Sequence, residues 1–152
     1  MLDESKVMRD NPKDMVGSNK LPMHLWPTTA TAMGCLAMLN GAEQYGRGNF
    51  RAIGVRASVY QSAAKRYLDA WFEGEENDPK DGVPHLAAAL ACIAIIVDAR
   101  VQGKLIDDRM YGDPEKFRAF IDEITPHVRR LKEFHKNKNP KHWTIADSEE
   151  AS

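Results

Sequence analysis

The stretch GEENDPKDGVPH at residues 74–85 holds the side chains best suited to chemistry, with four acidic residues and a histidine. Glu75 and Asp78 have the spacing Glu-x-x-Asp. On a helix that spacing places two carboxylates on one face, with about 5–6 Å between their Cβ atoms. Two such carboxylates can hold Mg²⁺ or Mn²⁺, which prefer oxygen ligands. The composition alone favours a solvated connector, so the metal-site interpretation needs support from elsewhere in the chain.

A second acidic candidate, Glu43, lies at the C-terminal end of a predicted helix, in NGAEQYGRGNF after a largely apolar run. The negative end of the helix dipole disfavours a carboxylate there, so a nearby cation would compensate. A solvent-facing side chain in the last helical turn is the alternative interpretation. Whether Glu43 comes near the acidic stretch depends on long connections, and the sequence leaves that geometry open.

Basic and polar groups flank these acids and could contact phosphate oxygens, to which arginine offers bidentate contacts. The basic candidates are Lys20, Arg47, Arg51, Arg56, Lys65 and Arg66. A solvated face with scattered ion pairs explains most of them equally well. His85 could hydrogen-bond a substrate or a metal-bound water, or be a satisfied, partly buried histidine. Tyr45, Tyr60 and Tyr67 are more typical of a core than of base stacking.

Several enzyme classes are excluded by their motifs. The chain has no phosphate loop of the form Gly-x-x-x-x-Gly-Lys-Ser/Thr, no Gly-x-Gly-x-x-Gly and no Gly-x-Ser-x-Gly. It has no adjacent His-Asp pair, which counts against the helical His-Asp phosphohydrolases. The net charge of −1 provides no basic field for polymeric nucleic acid. The two cysteines form no zinc-type pair and indicate a reduced protein.

Long helices must position these side chains. The first is expected to run from Thr28 or Thr29, the candidate N-caps, to Gly46. The second is expected from about Ala57 to Phe72, because its apolar residues recur at three- and four-residue spacing and mark one buried face. These bounds leave residues 47–56 as a long connection between the two helices.

The third long helix is expected to begin at Pro84 and to end near Gly103. It is apolar on nearly all sides, which predicts the centre of a bundle, and it is too short to span a bilayer. The dipeptides Asp-Pro at 113–114 and Thr-Pro at 125–126 indicate two short helices or one kinked helix. No segment alternates like a half-buried strand. The fold class is therefore predicted to be all-α, a helical bundle.

The length of 152 residues, with 43% apolar and 28% charged residues, predicts one domain with a real core. Residues 1–19 are predicted to be a flexible N-terminal segment, extended or poorly ordered, and residues 136–152 a polar C-terminal tail in which Trp143 docks. The N-terminus MLDESKVMRD has no apolar signal stretch. A cytoplasmic location is expected, with no membrane partner.

Four motifs occur in an order that resembles a known family. They are KxxxxLxP at residues 20–27, GAEQYGRGNF at 41–50, KRY in the second helix, and GEENDPKDGVPHLAAA from Gly74. Together they resemble the MazG-like all-α nucleoside triphosphate pyrophosphohydrolases, and within them the small dATP/dGTP diphosphohydrolase-type domain that includes the phage MazZ-type enzymes. The likeness spans residues 20–98, and it implies that residues 20–135 form a MazG-like NTP pyrophosphohydrolase domain.

The resemblance implies a MazG-like helical bundle, a homodimer or homotetramer, that uses Mg²⁺ or Mn²⁺ to hydrolyse (deoxy)nucleoside triphosphates, dGTP or GTP first, to the monophosphate. Such an activity would feed phage 2-aminoadenine nucleotide synthesis or control nucleotide pools. The resemblance assigns metal binding and catalysis to Glu43, Glu75 and Asp78, with Glu76 or Asp81 as an additional acid that orients a water. It assigns substrate contacts to Lys20, Asn49, Arg66 and His85.

Some positions depart from the family pattern. Gln44 stands where lysine is common, Asp81 where glutamate is common, and Ala88 where a second histidine is common. Asn40 lies three residues before Glu43, where the wider superfamily has a second glutamate. The loss of basic and imidazole groups indicates altered substrate contacts more than lost catalysis, because the carboxylates remain.

Two other functions stay open at this point. A non-enzymatic helical module that binds a protein partner would explain the polar termini and the aromatic stripe without catalysis. A phosphohydrolase that releases triphosphate, or removes phosphates stepwise, would use similar groups on the same substrates. Product analysis separates the three.

Overall fold

The computed structural model describes residues 1–151, with side chains as far as residue 148, and it confirms the all-α prediction. The α-helices are α1 (Glu4–Asp10), α2 (Pro12–Gly17), α3 (Thr28–Tyr45), α4 (Asn49–Ala52), α5 (Ala57–Phe72), α6 (His85–Val101), α7 (Pro114–Ile124) and α8 (Pro126–Phe134). Short 3-10 turns lie at Met23–Leu25 and Ile145–Ala151, and two strands at β1 (Val55–Arg56) and β2 (Leu105–Ile106).

The core is a three-helix bundle in which α6 lies between α3 and α5, but one side of α6 is exposed at Ile93, Val97 and Val101, so the predicted position at the centre of the bundle is only partly right. Ala37 of α3 packs with Val83, Ala87 and Ala91, and Ala87 is completely buried. Small side chains at these crossings let the helix backbones approach closely, at the cost of little buried volume per residue. The central position of α6 means that both neighbouring helices present their inner faces to the segment that precedes it, the acidic stretch.

The bounds of the long helices follow local sequence signals closely. α5 spans the predicted residues, and α3 ends before Gly46, whose φ of +89° suits glycine. The predicted N-cap at Thr28 or Thr29 is wrong, because Thr28 is already helical and Pro27 precedes it without a side-chain cap. Pro84 is extended rather than helical, because it pairs with Asn77 in an isolated antiparallel bridge, so α6 begins one residue later.

The N-terminal segment is helical, so the expectation of extended or poorly ordered chain is wrong as to its conformation. Each of its helices has a local cap. The Asp3 carboxylate accepts the backbone N–H groups of Ser5 and Lys6 before α1. The Asn11 side chain caps α2 in the same way, and Pro12 takes the first helical position. Single caps can nucleate such short helices without the apolar period on which the prediction relied.

β1 and β2 form a parallel pair that the sequence did not predict, since strands of two residues are too short to show alternation. Val55 pairs with Leu105 and donates its N–H to the carbonyl of Lys104 at 2.9 Å. Gly54 lies against the same carbonyl, where an added Cβ would come within 2.8 Å of the oxygen, at a φ of +94°. The pair therefore joins the start of α5 to the chain that leaves α6.

The C-terminal part contains α7 and α8, as the two Pro signals predict. The Asp113 side chain caps α7 by accepting the N–H of Glu115 at 2.9 Å. In the tail, Ile145 lies beside Gly74, just after α5, where its Cδ1 would be 3.1 Å from an added Cβ, whereas Trp143 is 74% exposed and has the Lys141 ammonium over its ring. The expected docking of the tail is thus carried by the isoleucine. Among the described residues, no helix is both long and apolar enough to cross a membrane.

Candidate active site

The acidic stretch between α5 and α6 is a folded loop. Its two ends pair at Asn77 and Pro84, and the Asp78 N–H donates to the carbonyl of Val83 at 2.9 Å. The chain reverses through Gly82, whose φ is +75° and whose N–H donates to the Asp78 carbonyl at 2.7 Å. His85 then starts α6 with its N–H bonded to the Glu76 carbonyl. This backbone pairing fixes where each carboxylate can point.

Asp78 and Asp81 are held by hydrogen bonds from this loop and from α3. The backbone N–H of Lys80 donates to Oδ1 of Asp78 at 2.8 Å, and that of Val83 donates to Oδ1 of Asp81 at 2.9 Å. Asn40 of α3 donates through Nδ2 to the other oxygen of Asp81 at 3.1 Å. The loop is therefore fastened to α3 by a side-chain contact that leaves part of each carboxylate free to bind.

Asp78 and Asp81 line a cleft of about 310 Å³ between α3, α5 and α6. The other polar groups of the cleft come from the C-terminal half of α3, the start of α4 and one face of α5. They are Asn40, Gln44, Tyr45, Asn49, Tyr60 and Tyr67. Alanines and Cys92 of α6 form the floor. Convergent polar groups over an apolar floor are typical of small-molecule sites.

The cleft has two chemically different ends. Burial raises the pKa of Tyr67, and the negative charges of Asp78 and Asp81 raise it further, so this phenol lies beside the acids as a neutral donor. Burial also raises the pKa of Tyr60, which has Tyr45 as a neighbour. The two α5 tyrosines are seven residues apart, or roughly 10 Å along the helix. One end is thus acidic, and the other is aromatic.

Glu75 points to the start of α6 and bonds to His85, with 2.6 Å between Oε1 and Nε2. The histidine is 4% exposed, and its ring lies 5.9 Å from that of Tyr67. Its other nitrogen, Nδ1, is buried without a hydrogen-bond partner among the described residues. A buried, unpaired ring nitrogen costs free energy, so His85 is not the fully satisfied core histidine that the alternative interpretation required.

Some of the residues predicted from sequence come together and others do not. Asp78, Asp81 and Asn49 line the cleft. The remaining candidates do not line it: Lys20, Glu43, Arg66, Glu75, Glu76 and His85. Within the part of the chain that the structure describes, no three His, Cys, Asp or Glu side chains form a metal-binding group. A single copy therefore does not assemble Glu43, Glu75 and Asp78 into one cluster, and their roles stay predictions.

Asn40 and Gln44 are cleft residues that the sequence prediction missed. They follow Ala37 at intervals of three and four residues, on the α3 face that packs against the core. Two side-chain amides in line with a buried alanine are the signal that could have identified this face. An apolar helix rarely places amide side chains on its core-facing side unless they have a hydrogen-bond partner or a ligand there.

The donors at the acidic end suit a hard cation. The two carboxylates of Asp78 and Asp81 supply only oxygen ligands. Mg²⁺ commonly binds through one or two carboxylates together with substrate phosphates. The residues present therefore fit Mg²⁺ or Mn²⁺ bound along with a phosphate ligand better than a cation held by protein alone.

The family comparison covers this whole site. The model of the dATP/dGTP diphosphohydrolase N-terminal family matches residues 10–109, which include α3 to α6, the acidic loop and both strands. No curated protein and no solved structure matches the chain.

Proposed function

Since this chain belongs to the dATP/dGTP diphosphohydrolase family through residues 10–109, we propose that it hydrolyses purine deoxynucleoside triphosphates, dGTP first, to the monophosphate and pyrophosphate. The family match confirms the resemblance on which the sequence prediction relied, and it makes the chain a hydrolase of nucleoside triphosphates. The observation that supports this proposal best is the cleft, whose acidic and aromatic ends suit the two halves of a nucleotide.

The phosphates are proposed to lie at the end formed by Asp78 and Asp81. Carboxylates repel phosphate oxygens, so this end would accept a triphosphate only together with a divalent cation. Asp78 and Asp81 would hold Mg²⁺ or Mn²⁺, which would supply the positive charge that neutralises the phosphates and stabilises the transition state. Glu43 and Glu75 stay proposed as additional ligands. Tyr67, which lines the cleft beside these carboxylates, would donate its O–H to a phosphate oxygen.

The base is proposed to lie against Tyr60, with Tyr45 nearby. Aromatic rings stack on any base, whereas the amides of Gln44 and Asn49 can bond to its edge. The distance of roughly 10 Å along α5 between the two tyrosines is comparable to the separation of base and phosphates in a nucleotide. Lys20 and Arg66, which lie outside the cleft, are proposed to contact phosphates of a bound nucleotide that extends beyond it.

The proposed reaction adds water across the α–β phosphoanhydride bond. The water oxygen bonds to phosphorus, the bridging P–O bond breaks, and pyrophosphate leaves with that electron pair. A carboxylate takes the proton, and Asp81 suits this role better than Glu76, since it alone of the two lines the cleft. The product monophosphate would feed phage 2-aminoadenine nucleotide synthesis or limit the cytoplasmic pool of the triphosphate. We also propose that the protein acts as a homodimer or homotetramer.

Product analysis tests this proposal. The protein is incubated with each of the four deoxynucleoside triphosphates and Mn²⁺ or Mg²⁺, and products are separated by ion-exchange chromatography. Monophosphate and pyrophosphate from purine substrates are expected. Release of triphosphate or of single phosphates would support the stepwise or triphosphate-releasing alternative, and unchanged nucleotides would support the protein-binding module.

Single substitutions locate the reaction in the cleft. Asp78→Asn and Asp81→Asn are expected to lower kcat/KM at least about a hundredfold, because each removes a charge from the proposed cation site. Glu43→Gln and Glu75→Gln should also abolish turnover if they complete the site. The matched control is Asp69→Asn, whose side chain pairs with Lys65 on the α5 surface. Near wild-type rates in all four variants would remove the cleft as the active site.

A further inference from the structure

The strongest feature outside the cleft is the α7–α8 arm, residues 114–134. Its two helices pack on each other and on no other element to a comparable extent. The apolar side chains of α7 recur at three- and four-residue spacing, and α8 continues the same face. This arm face consists of Phe117, Phe120, Ile121, Ile124, Val128, Leu131 and Phe134, each between 40% and 81% exposed. A continuous apolar face of this length is rarely left in water.

The core has an unpartnered face of its own on α6. The outward-facing residues of α6 follow one another at intervals of three or four residues, on the side opposite most of the buried alanines. This α6 stripe consists of Leu86, Leu90, Ile93, Val97 and Val101. Ile93, Val97 and Val101 are 50%, 59% and 79% exposed. With α3 and α5 on its other sides, α6 therefore lacks the fourth helix that would complete the bundle around it.

The chain exposes much more area than a compact single copy of its mass. The chain exposes 13,444 Å². A compact monomer of 17.1 kDa would expose roughly 7,700 Å². The excess is several times the ~800 Å² that each partner buries in a stable interface. The arm does not bury its face on its own core, and the connection before it runs through Met110 and Tyr111, which are 96% and 107% exposed.

We propose that the α7–α8 arm of one copy packs against the α6 stripe of a second copy. Both faces are apolar, both are helical, and neither is covered by another element among the described residues. The arm supplies the fourth side of the neighbouring bundle. In a symmetric dimer each copy's arm covers the other copy's α6 stripe, so two equivalent contacts form. The arm lies outside residues 10–109 and the α6 stripe lies within them, so the proposed contact joins the matched domain of one copy to a segment beyond that domain in the other.

Crosslinking between the two faces tests the contact directly. In a Cys35→Ser background, Phe117, Phe120 or Ile124 is changed to cysteine in one protein, and Ile93, Val97 or Val101 in another. The two proteins are mixed and oxidised, and a disulfide-linked band of twice the chain mass is expected on a non-reducing gel. The matched control is Lys116→Cys, on the polar side of α7.

Three results would overturn the proposal at this step. One is the absence of any linked band across the nine combinations. The second is linkage that appears only when both cysteines lie in one chain and leaves the mass of a monomer, since the arm would then fold onto its own core. The third is equal linkage by the Lys116→Cys control, which would show random collision.

Sedimentation equilibrium gives an independent measurement. Phe117→Ala with Phe120→Ala should raise the dissociation constant at least about tenfold, because large aromatic side chains dominate interface affinity. Lys116→Ala with Arg118→Ala should leave it unchanged, and far-UV circular dichroism checks that both variants keep their helices. A wild-type chain that sediments as a monomer, or an unchanged constant in the phenylalanine variant, contradicts the inference. Neither measurement involves nucleotide, so the proposed contact between copies is tested separately from the proposed hydrolysis.

Discussion

At the scale of single residues, the pairing of His85 with Glu75 is the arrangement with the clearest functional meaning. Nε2 of His85 holds one oxygen of Glu75, while Nδ1 stays buried and unpaired among the described residues. An unpaired buried nitrogen costs about 1–3 kcal/mol, which offsets part of what the Nε2 bond to Glu75 contributes to stability. Within the proposed site, His85 would be a positioning residue for Glu75, because this bond fixes where the carboxylate points.

His85→Phe separates positioning from packing. The ring keeps the volume and loses the bond to Glu75, so kcat should fall about 10- to 100-fold, as when an outer partner of a ligand is removed. The melting temperature should stay the same or rise, because the unpaired nitrogen is also removed. Steady-state kinetics and thermal unfolding measure the two effects, with exposed His24→Phe as the control. A large fall in melting temperature with unchanged kcat would show a purely structural role.

Residue types near the site could be predicted from sequence, but their contacts could not. The acidic loop and Glu43 are visible as local patterns, whereas the bond from Asn40 to Asp81 joins residues 41 positions apart. No periodicity encodes such a contact. The tyrosines of α5 were assigned to the core for a sound reason, since a cleft floor and a core share the same helical spacing. Only the arrangement of three helices shows that Tyr60 and Tyr67 border a cleft.

At the scale of elements, the same contrast holds. α5 begins and ends as predicted, and α7 begins as predicted, because their signals are local: one apolar period, and Asp113 before a proline. The β1–β2 pair was missed because it depends on Gly54 lying under a carbonyl fifty residues away along the chain. α4 is likewise placed by a distant partner, Asp98 of α6, which binds Arg51 through two hydrogen bonds of 2.9 and 2.6 Å.

The Arg51–Asp98 pair predicts a pH dependence of stability. The hydrogen bond and charge of Arg51 lower the pKa of Asp98 in the folded state, so the pair stabilises the fold above the unfolded value of about 3.9. This contribution is lost as the pH falls through the lower, folded value. The difference in unfolding free energy between wild type and Asp98→Asn should therefore be constant near neutral pH and vanish in acid, as urea titrations at several pH values would measure. A difference that grows in acid would contradict this assignment.

At the scale of the whole molecule, the proposed exchange of arms makes stability depend on concentration. Binding between folded copies stabilises them by mass action, so the melting temperature should rise as the protein concentration is raised a hundredfold. The variant with Phe117→Ala and Phe120→Ala should show a smaller rise. Scanning calorimetry of both proteins over that range measures the effect. A melting temperature that does not change with concentration would mean that single copies carry the stability alone.

The size of the buried side chains has a further consequence for how the protein folds and assembles after synthesis. Alanines, two valines, one cysteine and His85 make up the buried set, and no large side chain among the described residues is fully enclosed. A newly translated copy with such small buried side chains gains little free energy from folding as a monomer. If arms and stripes close only between copies, maturation becomes a second-order event, so its rate rises with the square of the number of chains present. Dimers would then form quickly when the chain is synthesised at a high rate. Chains synthesised slowly would stay monomeric for longer and would be more exposed to proteases.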